Sequence, residues 1–492
     1  MKKICAMLLA ALMLLTACSA EPYSSAAPDS TALTGASDMT EDPAVTESET
    51  EEPTTEAPPK NEIIIWTVGG EEDRTKTICE YCLGKPQQTV PVPEGGWTVT
   101  VKSVPAEELI RRMQGTAEPG ISESEAESTA EAAESVPESA VGGAVEGAAE
   151  GAADLPDAGE MPDLFFFSSD DLEMLKVYGL LSKVPDKTAD EISRKMVPSA
   201  VKAAGGEDGL YAYPAALDHV PLLYYDKSVV SDVSDLASVI RQCGEAGRCF
   251  YVGSDTASFP SAVFLSCGLT YETVLQSDGR VKQVNCDYYT EKGLTAAKLI
   301  RSLMSMDAFR TTEGSPVLAF SFDNDKAGAM IAASYQTVEL RGILGDDFAV
   351  AALPPILDGE TAIAGTSYGT FTMIGVMPND DEDKLQVCHT LAAELVSNSA
   401  QRARYDANGT IPVRTAMLTE NLLADNEAAS ALVAQMPYVL RKTEVSENYD
   451  EAMDSFTDKL LAGGADMKTA KLQQLLDELS AFLMADVPKA QE

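Results

Sequence analysis

At 492 residues, with 45% hydrophobic side chains and a formal net charge of −42, the chain can bury a large core in more than one lobe. That charge excludes nucleic acid as a partner, because phosphate binding needs clustered Lys and Arg, and it makes anionic lipid headgroups poor partners too. About half of the excess lies in two stretches: residues 19–60 hold ten acidic residues against one Lys, and residues 115–160 hold twelve with no Lys or Arg.

The chain starts with Lys2 and Lys3, then an apolar run from Ile4 to Leu15, then the small residues before Cys18. A charged start, an apolar run and a small-residue break form the layout of a secretory signal. The run is too short for a spanning helix of about 20 apolar residues. Leu15-Thr16-Ala17-Cys18 resembles the lipobox of bacterial lipoproteins. The resemblance implies that residues 1–17 are removed, that Cys18 becomes the first mature residue, and that lipid on Cys18 anchors the protein to the outer face of a bacterial membrane. At about 0.8 kcal/mol per buried CH₂, two or three acyl chains hold firmly. Residues 18–60 are Ser, Thr, Pro, Glu and Ala with almost no large apolar side chain, so they read as a disordered acidic tether.

Folded sequence begins at Glu62-Ile63-Ile64-Ile65-Trp66, an apolar run expected to be a strand buried on both faces. Trp97 to Val104 alternates like a second strand, and Pro105 opens a helix with Leu109, Ile110 and Met113 on one side. Residues 115–160 read as a disordered acidic insertion. Leu164 to Phe167 is another buried strand, followed by a helix through Met174 and Leu175. Such alternation means parallel sheet and an α/β fold. Further on come an extended run to Tyr225, a strand at Cys249–Val252 and a helix from Gly293 to Met306. Val317–Phe322 reads as a strand or a helix entry, a helix is expected near Lys326, and Phe348–Pro354 reads as a strand. Thr370–Met377 is one more strand, Asp383–Tyr405 one long helix, and the Leu472–Leu483 periodicity a last amphipathic helix.

Catalytic signatures are weak. Gly365-Thr366-Ser367-Tyr368-Gly369 matches the G-x-S-x-G elbow of α/β hydrolases, but that chemistry needs a strand before the Ser and a helix after it. Here the strand-like run follows. No carboxylate pair stands out, and no dinucleotide, phosphate-loop or zinc-protease motif occurs. The seven Cys beyond Cys18 are an odd, scattered set, so Cys79 and Cys82, like Cys243 and Cys249, are expected to form a local disulfide or to be plain buried thiols. With only His219 and His389 in the chain, a Cys/His metal cage is not expected.

Several segments together resemble family 1 extracellular solute-binding proteins, the maltose-binding-protein-like receptors of ABC importers. They are Ile63–Glu72, Pro162–Leu181, Gly209–Lys227, Phe322–Ala332, Ala349–Pro355 and Ala392–Val413, in the family's order. The resemblance implies a two-lobed α/β fold of the periplasmic-binding-protein type II kind, with an interlobe cleft and hinge crossings. Lobe one would be 61–217 and 365–420, interrupted by the 115–160 insertion, and lobe two 218–364 and 421–487. It also implies a non-catalytic, monomeric protein without a cofactor, which closes around a small solute and presents it to an ABC permease.

On this resemblance the residues that line the cleft are Trp66, Gly70 and Glu71 after the first strand, and Ser168, Ser169, Asp170 and Asp171 after the Phe run. Asp218 on the crossing strand, Phe259, Tyr335, Tyr368 and Tyr449 complete the set. Carboxylates that accept from hydroxyls and aromatic faces that stack on a sugar ring suit a carbohydrate. Trp66 has a core alternative, and Asp170 could cap the following helix. A cleft rich in acid also suits a cationic solute such as a polyamine. Two readings of another kind are a surface hydrolase using Ser367 or a carboxylate pair, and a receptor-like fold reused for signalling or adhesion.

Overall fold

The computed structural model describes residues 61–67, 70–85, 91–104, 108, 111–112, 160–206, 208–253, 258–277, 280–312, 316–418, 426–442, 449–464 and 466–485. The signal, Cys18, the tether and all of the insertion but Glu160 lie outside these residues. Of the helix expected from Pro105, only Glu108, Arg111 and Arg112 lie within them.

Ten strands carry the architecture. The first five are β1 (Glu62–Thr67), β2 (Thr98–Ser103), β3 (Leu164–Ser168), β4 (Tyr213–Leu217) and β5 (Pro221–Asp226). They are followed by β6 (Cys249–Val252), β7 (Phe309–Thr311), β8 (Ala327–Ala333), β9 (Phe348–Ala351) and β10 (Phe371–Val376). The first sheet has the order β2-β1-β3-β10-β4 and the second β7-β6-β8-β5-β9. In the first, β1 pairs in parallel with β2 and β3, and β10 runs antiparallel between β3 and β4. In the second, β6 pairs in parallel with β7 and β8, while β5 is antiparallel to β8 and β9.

Ile63 to Trp66 and Leu164 to Phe167 are buried throughout, as a strand covered on both faces must be. Helices Glu72–Leu83 and Glu382–Leu395 pack on the first sheet and on each other, and Pro198–Ala203 packs on β4. Side chains alternate across the second sheet. Leu222 and Tyr224 of β5 join the core of the first lobe, whereas Leu223 between them faces a second core with Phe250, Ile300 and Leu476. One apolar core therefore runs from the first sheet through the crossing strands onto one face of the second.

Several local expectations are corrected. Asp383–Tyr405 is two helices, Glu382–Leu395 and Asn398–Asn408, because Ser397 turns extended and its Oγ accepts from Ala400 N at 3.2 Å as the cap of the second. Val317–Phe322 settles as a 3₁₀ turn, Pro316–Ser321. The expected helix near Lys326 is β8, a central strand whose partners on both sides override the weak strand propensity of its alanines. All seven described Cys are free thiols, six of them buried.

Candidate ligand cleft

The two sheets meet at their strand ends. β1, β2, β3 and β4 run parallel, so their carboxyl ends share one edge of the first sheet. β4 leaves that edge through Asp218, His219 and Val220 and enters the second sheet as β5. Ala333 at the carboxyl end of β8 pairs with Pro221 at the start of β5, so the carboxyl ends of β6, β7, β8 and β9 also point back to the crossing. Open α/β sheets bind ligands in the crevice outside their strand carboxyl ends, and here two such edges share one crossing.

Three chain segments make this crossing a ribbon. Asp218 N donates to Thr370 O at 2.9 Å and Thr370 N to His219 O at 2.8 Å. On the other side Gly369 N donates to Leu440 O at 2.9 Å, and Ser367 and Tyr368 pair with Val439 and Leu440. This packing explains the G-x-S-x-G spacing. A Cβ on Gly369 would lie 2.7 Å from His219 O and 2.8 Å from Val439 Cγ1, and one on Gly365 2.7 Å from Leu353 Cβ. Gln435, fully buried, pins the approach by donating to Gly365 O and accepting from Leu353 N, both at 2.9 Å. Ser367 is 2% exposed, its Oγ has no hydrogen-bond partner among the described residues, and a strand follows it. His389 is occupied elsewhere, its Nδ1 lying 2.8 Å from Tyr213 Oη in the core.

The expected site residues divide. Asp218 keeps its side chain 42% exposed on the ribbon, with His219 Nδ1 3.5 Å from its Oδ1. Its carboxyl group still sits deep enough for desolvation to raise its pKa, an effect that His219 partly offsets. Tyr335, 68% exposed at the end of β8, meets the His219 ring edge-on at 5.3 Å. Ser334 ties this corner together: its N donates to Val220 O at 2.9 Å and its Oγ to Asp218 O at 3.3 Å. Asp218, His219 and Tyr335 thus form one open cluster of a carboxylate, an imidazole and a phenol.

At the end of β3, Ser168 accepts from Asp170 N at 3.3 Å, and buried Ser169 accepts from Phe371 N at 3.0 Å, which fastens β3 to β10. Asp170 and Asp171 are left half-buried at the sheet edge. Gly70, at φ +82°, makes the exposed turn after β1. Glu71 beside it is not open. Arg404 Nε donates to Glu71 Oε2 at 3.2 Å, Asn408 Nδ2 to Oε1 at 3.1 Å, and Arg74 pairs with the same oxygen. Burial lowers the Arg404 pKa and the Glu71 carboxylate works against that shift.

Trp66, 2% exposed, lies within β1 under the Arg112 guanidinium, 5.3 Å from the ring. Phe259 packs on Phe309 at 5.0 Å in the second core. Tyr449 is buried there as well, with its hydroxyl 2.9 Å from Ser261 Oγ and its ring 4.7 Å from Tyr271. Tyr368 joins this aromatic group from the ribbon, and burial, with Tyr449 and Tyr271 nearby, drives its pKa upward. Sequence reasoning missed His219, Ser334 and Thr370 as cleft groups and Arg404 as the partner of Glu71. For His219 the signal was present, a rare His directly after the one acid in the mostly apolar run from Tyr213 to Tyr225.

Residues 140–431, more than half of the chain, match the family model described as bacterial extracellular solute-binding protein. A comparison with curated proteins gives no match. Among solved structures, a maltodextrin-binding protein of L. casei without ligand is 16% identical, with a TM-score of 0.60 over 86% of this chain and 98% of that one. A cyclo/maltodextrin-binding protein complexed with maltotetraose is 15% identical, with a TM-score of 0.60 over 89% and 100%. An extracellular solute-binding protein from Staphylococcus aureus in complex with maltose is 13% identical, with a TM-score of 0.59 over 87% and 98%. These likenesses are of the two-lobed fold. No helix among the described residues is long and apolar enough to cross a membrane.

Proposed function

Because the chain belongs to the bacterial extracellular solute-binding protein family, we propose that it captures a small carbohydrate between its lobes and hands it to an ABC permease. The observation that carries this reading is the open Asp218–His219–Tyr335 cluster where the carboxyl edges of both sheets meet. Asp218 accepts hydrogen bonds from sugar hydroxyls, His219 donates or accepts, and the exposed Tyr335 ring offers a face to the apolar side of a sugar. Asp170 and Asp171 supply further acceptors from the first lobe. Ligand that touches both lobes binds the closed form better than the open one, and this differential affinity drives closure.

The chemistry is binding rather than turnover. Among the described residues Ser367 has no hydrogen-bonded base, and the solved structures similar in fold are described as binding proteins. The Cys18 reading adds a lipid anchor and an extracytoplasmic position, with residues 18–60 as a tether whose mean reach is about 5–6 Å × √n. Calorimetry of the mature chain against linear maltodextrins tests the proposal. Micromolar binding, about −8 kcal/mol, is expected. Heat from spermidine but none from any saccharide would replace the sugar with a cation. Mass spectrometry of the mature amino terminus tests the lipid on Cys18.

A further inference from the structure

A carboxylate drawn out of water needs a counter-charge, and elsewhere this fold supplies one. Arg404 meets Glu71, Lys384 Nζ lies 2.8 Å from Asp163 Oδ1, Lys102 Nζ 2.7 Å from Glu160 Oε2 and Lys85 Nζ 2.9 Å from Glu394 Oε1. Buried Asp235 has the amino end of a helix instead, with Ser238 N donating to its Oδ1 at 2.8 Å. Asp218 has neither. Among the described residues no lysine or arginine pairs with it, and the base beside it, His219, carries charge only when protonated. Desolvation raises the Asp218 pKa, as it must where lost hydration is not made good by a cation.

The missing charge can come from the solute, because the Asp218 side chain opens to the cleft. Its neighbours narrow what carries that charge. The exposed Tyr335 ring suits the flat apolar face of a pyranose, and an ammonium near such a ring gains cation–π attraction. The His219 ring nitrogens can donate to or accept from a hydroxyl. A straight-chain polyamine would balance Asp218 but brings no hydroxyl for His219 and no flat face for Tyr335. A neutral sugar would satisfy those two and leave the carboxylate unbalanced. The net charge of −42 also favours the approach of a cation over that of a neutral solute.

We propose that the solute is an amino sugar, with its ammonium on Asp218, a hydroxyl on His219 and its ring against Tyr335. This rests on the carbohydrate reading of the cleft and narrows it. The probes are the β-linked glucosamine disaccharide, its di-N-acetyl form and cellobiose, which has the same skeleton with hydroxyls in place of the amines. Each is titrated calorimetrically into the mature chain at a pH that keeps the amines protonated. The glucosamine disaccharide is expected to bind at least about tenfold more tightly than either neutral form, and Asp218→Asn to narrow that preference below about twofold. Raising the salt concentration should narrow it as well, because the Asp218 pair is partly exposed. Equal affinity for the charged and neutral forms overturns the proposal, as does a preference that survives Asp218→Asn. Binding of maltodextrins without any preference for the amine overturns it and leaves the carbohydrate reading standing. Heat from spermidine with none from any saccharide overturns both. Should Asp218→Asn fail to fold by circular dichroism, the salt series on the unmodified chain decides, and a preference equal at low and high salt overturns the proposal.

Discussion

Glu71 and Asp218 look alike in the sequence, each an acid at the end of an apolar strand, yet the fold treats them oppositely. Glu71 is closed in, with both oxygens engaged by Arg404, Asn408 and Arg74. Arg404 in turn donates from Nη1 to Leu395 O at 2.7 Å and lies over the Phe166 ring at 5.2 Å. This strut joins the start of helix Glu72–Leu83 to helix Asn398–Asn408. Asp218 has one neighbouring side-chain base and an open face. The difference separates a carboxylate that holds the lobe together from one left partly exposed to solvent.

The sharpest way to break this contrast is to remove the strut. Arg404→Met leaves Glu71 charged and buried, and urea unfolding should show a loss of about 3–5 kcal/mol. An unchanged unfolding midpoint would make Glu71 as open as Asp218. Acid gives the next largest effect, through a second closed-in group. Burial lowers the pKa of His389 to about 4, against 6.5 in an unfolded chain. The unfolded state therefore binds the extra proton between these values, so stability is full above about pH 6.5 and is lost as pH falls toward 4, by about 3 kcal/mol. The unfolding free energy of His389→Gln, measured over the same range, should lack this slope.

At the open site the effect moves from stability to affinity. Asp218→Ala should weaken solute binding at least tenfold, about 1.4 kcal/mol, with the melting temperature of the ligand-free protein nearly unchanged. A large drop in that melting temperature with intact affinity would make Asp218 structural too. The smallest expected change is at Ser367. Its replacement by Ala should shift stability by no more than about 0.5 kcal/mol and leave calorimetric affinity untouched, because the motif's glycines, not its hydroxyl, serve the packing.

Much of the fold was legible because burial on both faces writes itself as uninterrupted apolar runs. Ile63–Trp66, Leu164–Phe167 and Cys249–Val252 were all readable as strands for that reason. The site was less legible because aromatic residues serve core and cleft alike. Trp66, Phe259 and Tyr449 carry the same chemistry as Tyr335, and only the tertiary structure buries three and exposes one. The Glu71–Arg404 pair had no local signal at all, with its partners 333 residues apart. Short-range competition misled as well. A single Ser397 cap divides what periodicity read as one helix, and strand partners on both sides pull an alanine-rich segment into β8.

The insertion of β10 between β3 and β4 bears on how the chain is made. β4 ends at Leu217 and β10 begins at Phe371, so the first sheet lacks an interior strand until the whole second sheet has been synthesised. Pairing across so long a separation is slow, because a long loop must close before the contacts reward it. Until then the facing edges of β3 and β4 carry unpaired backbone groups, and such edges are templates for pairing with another chain.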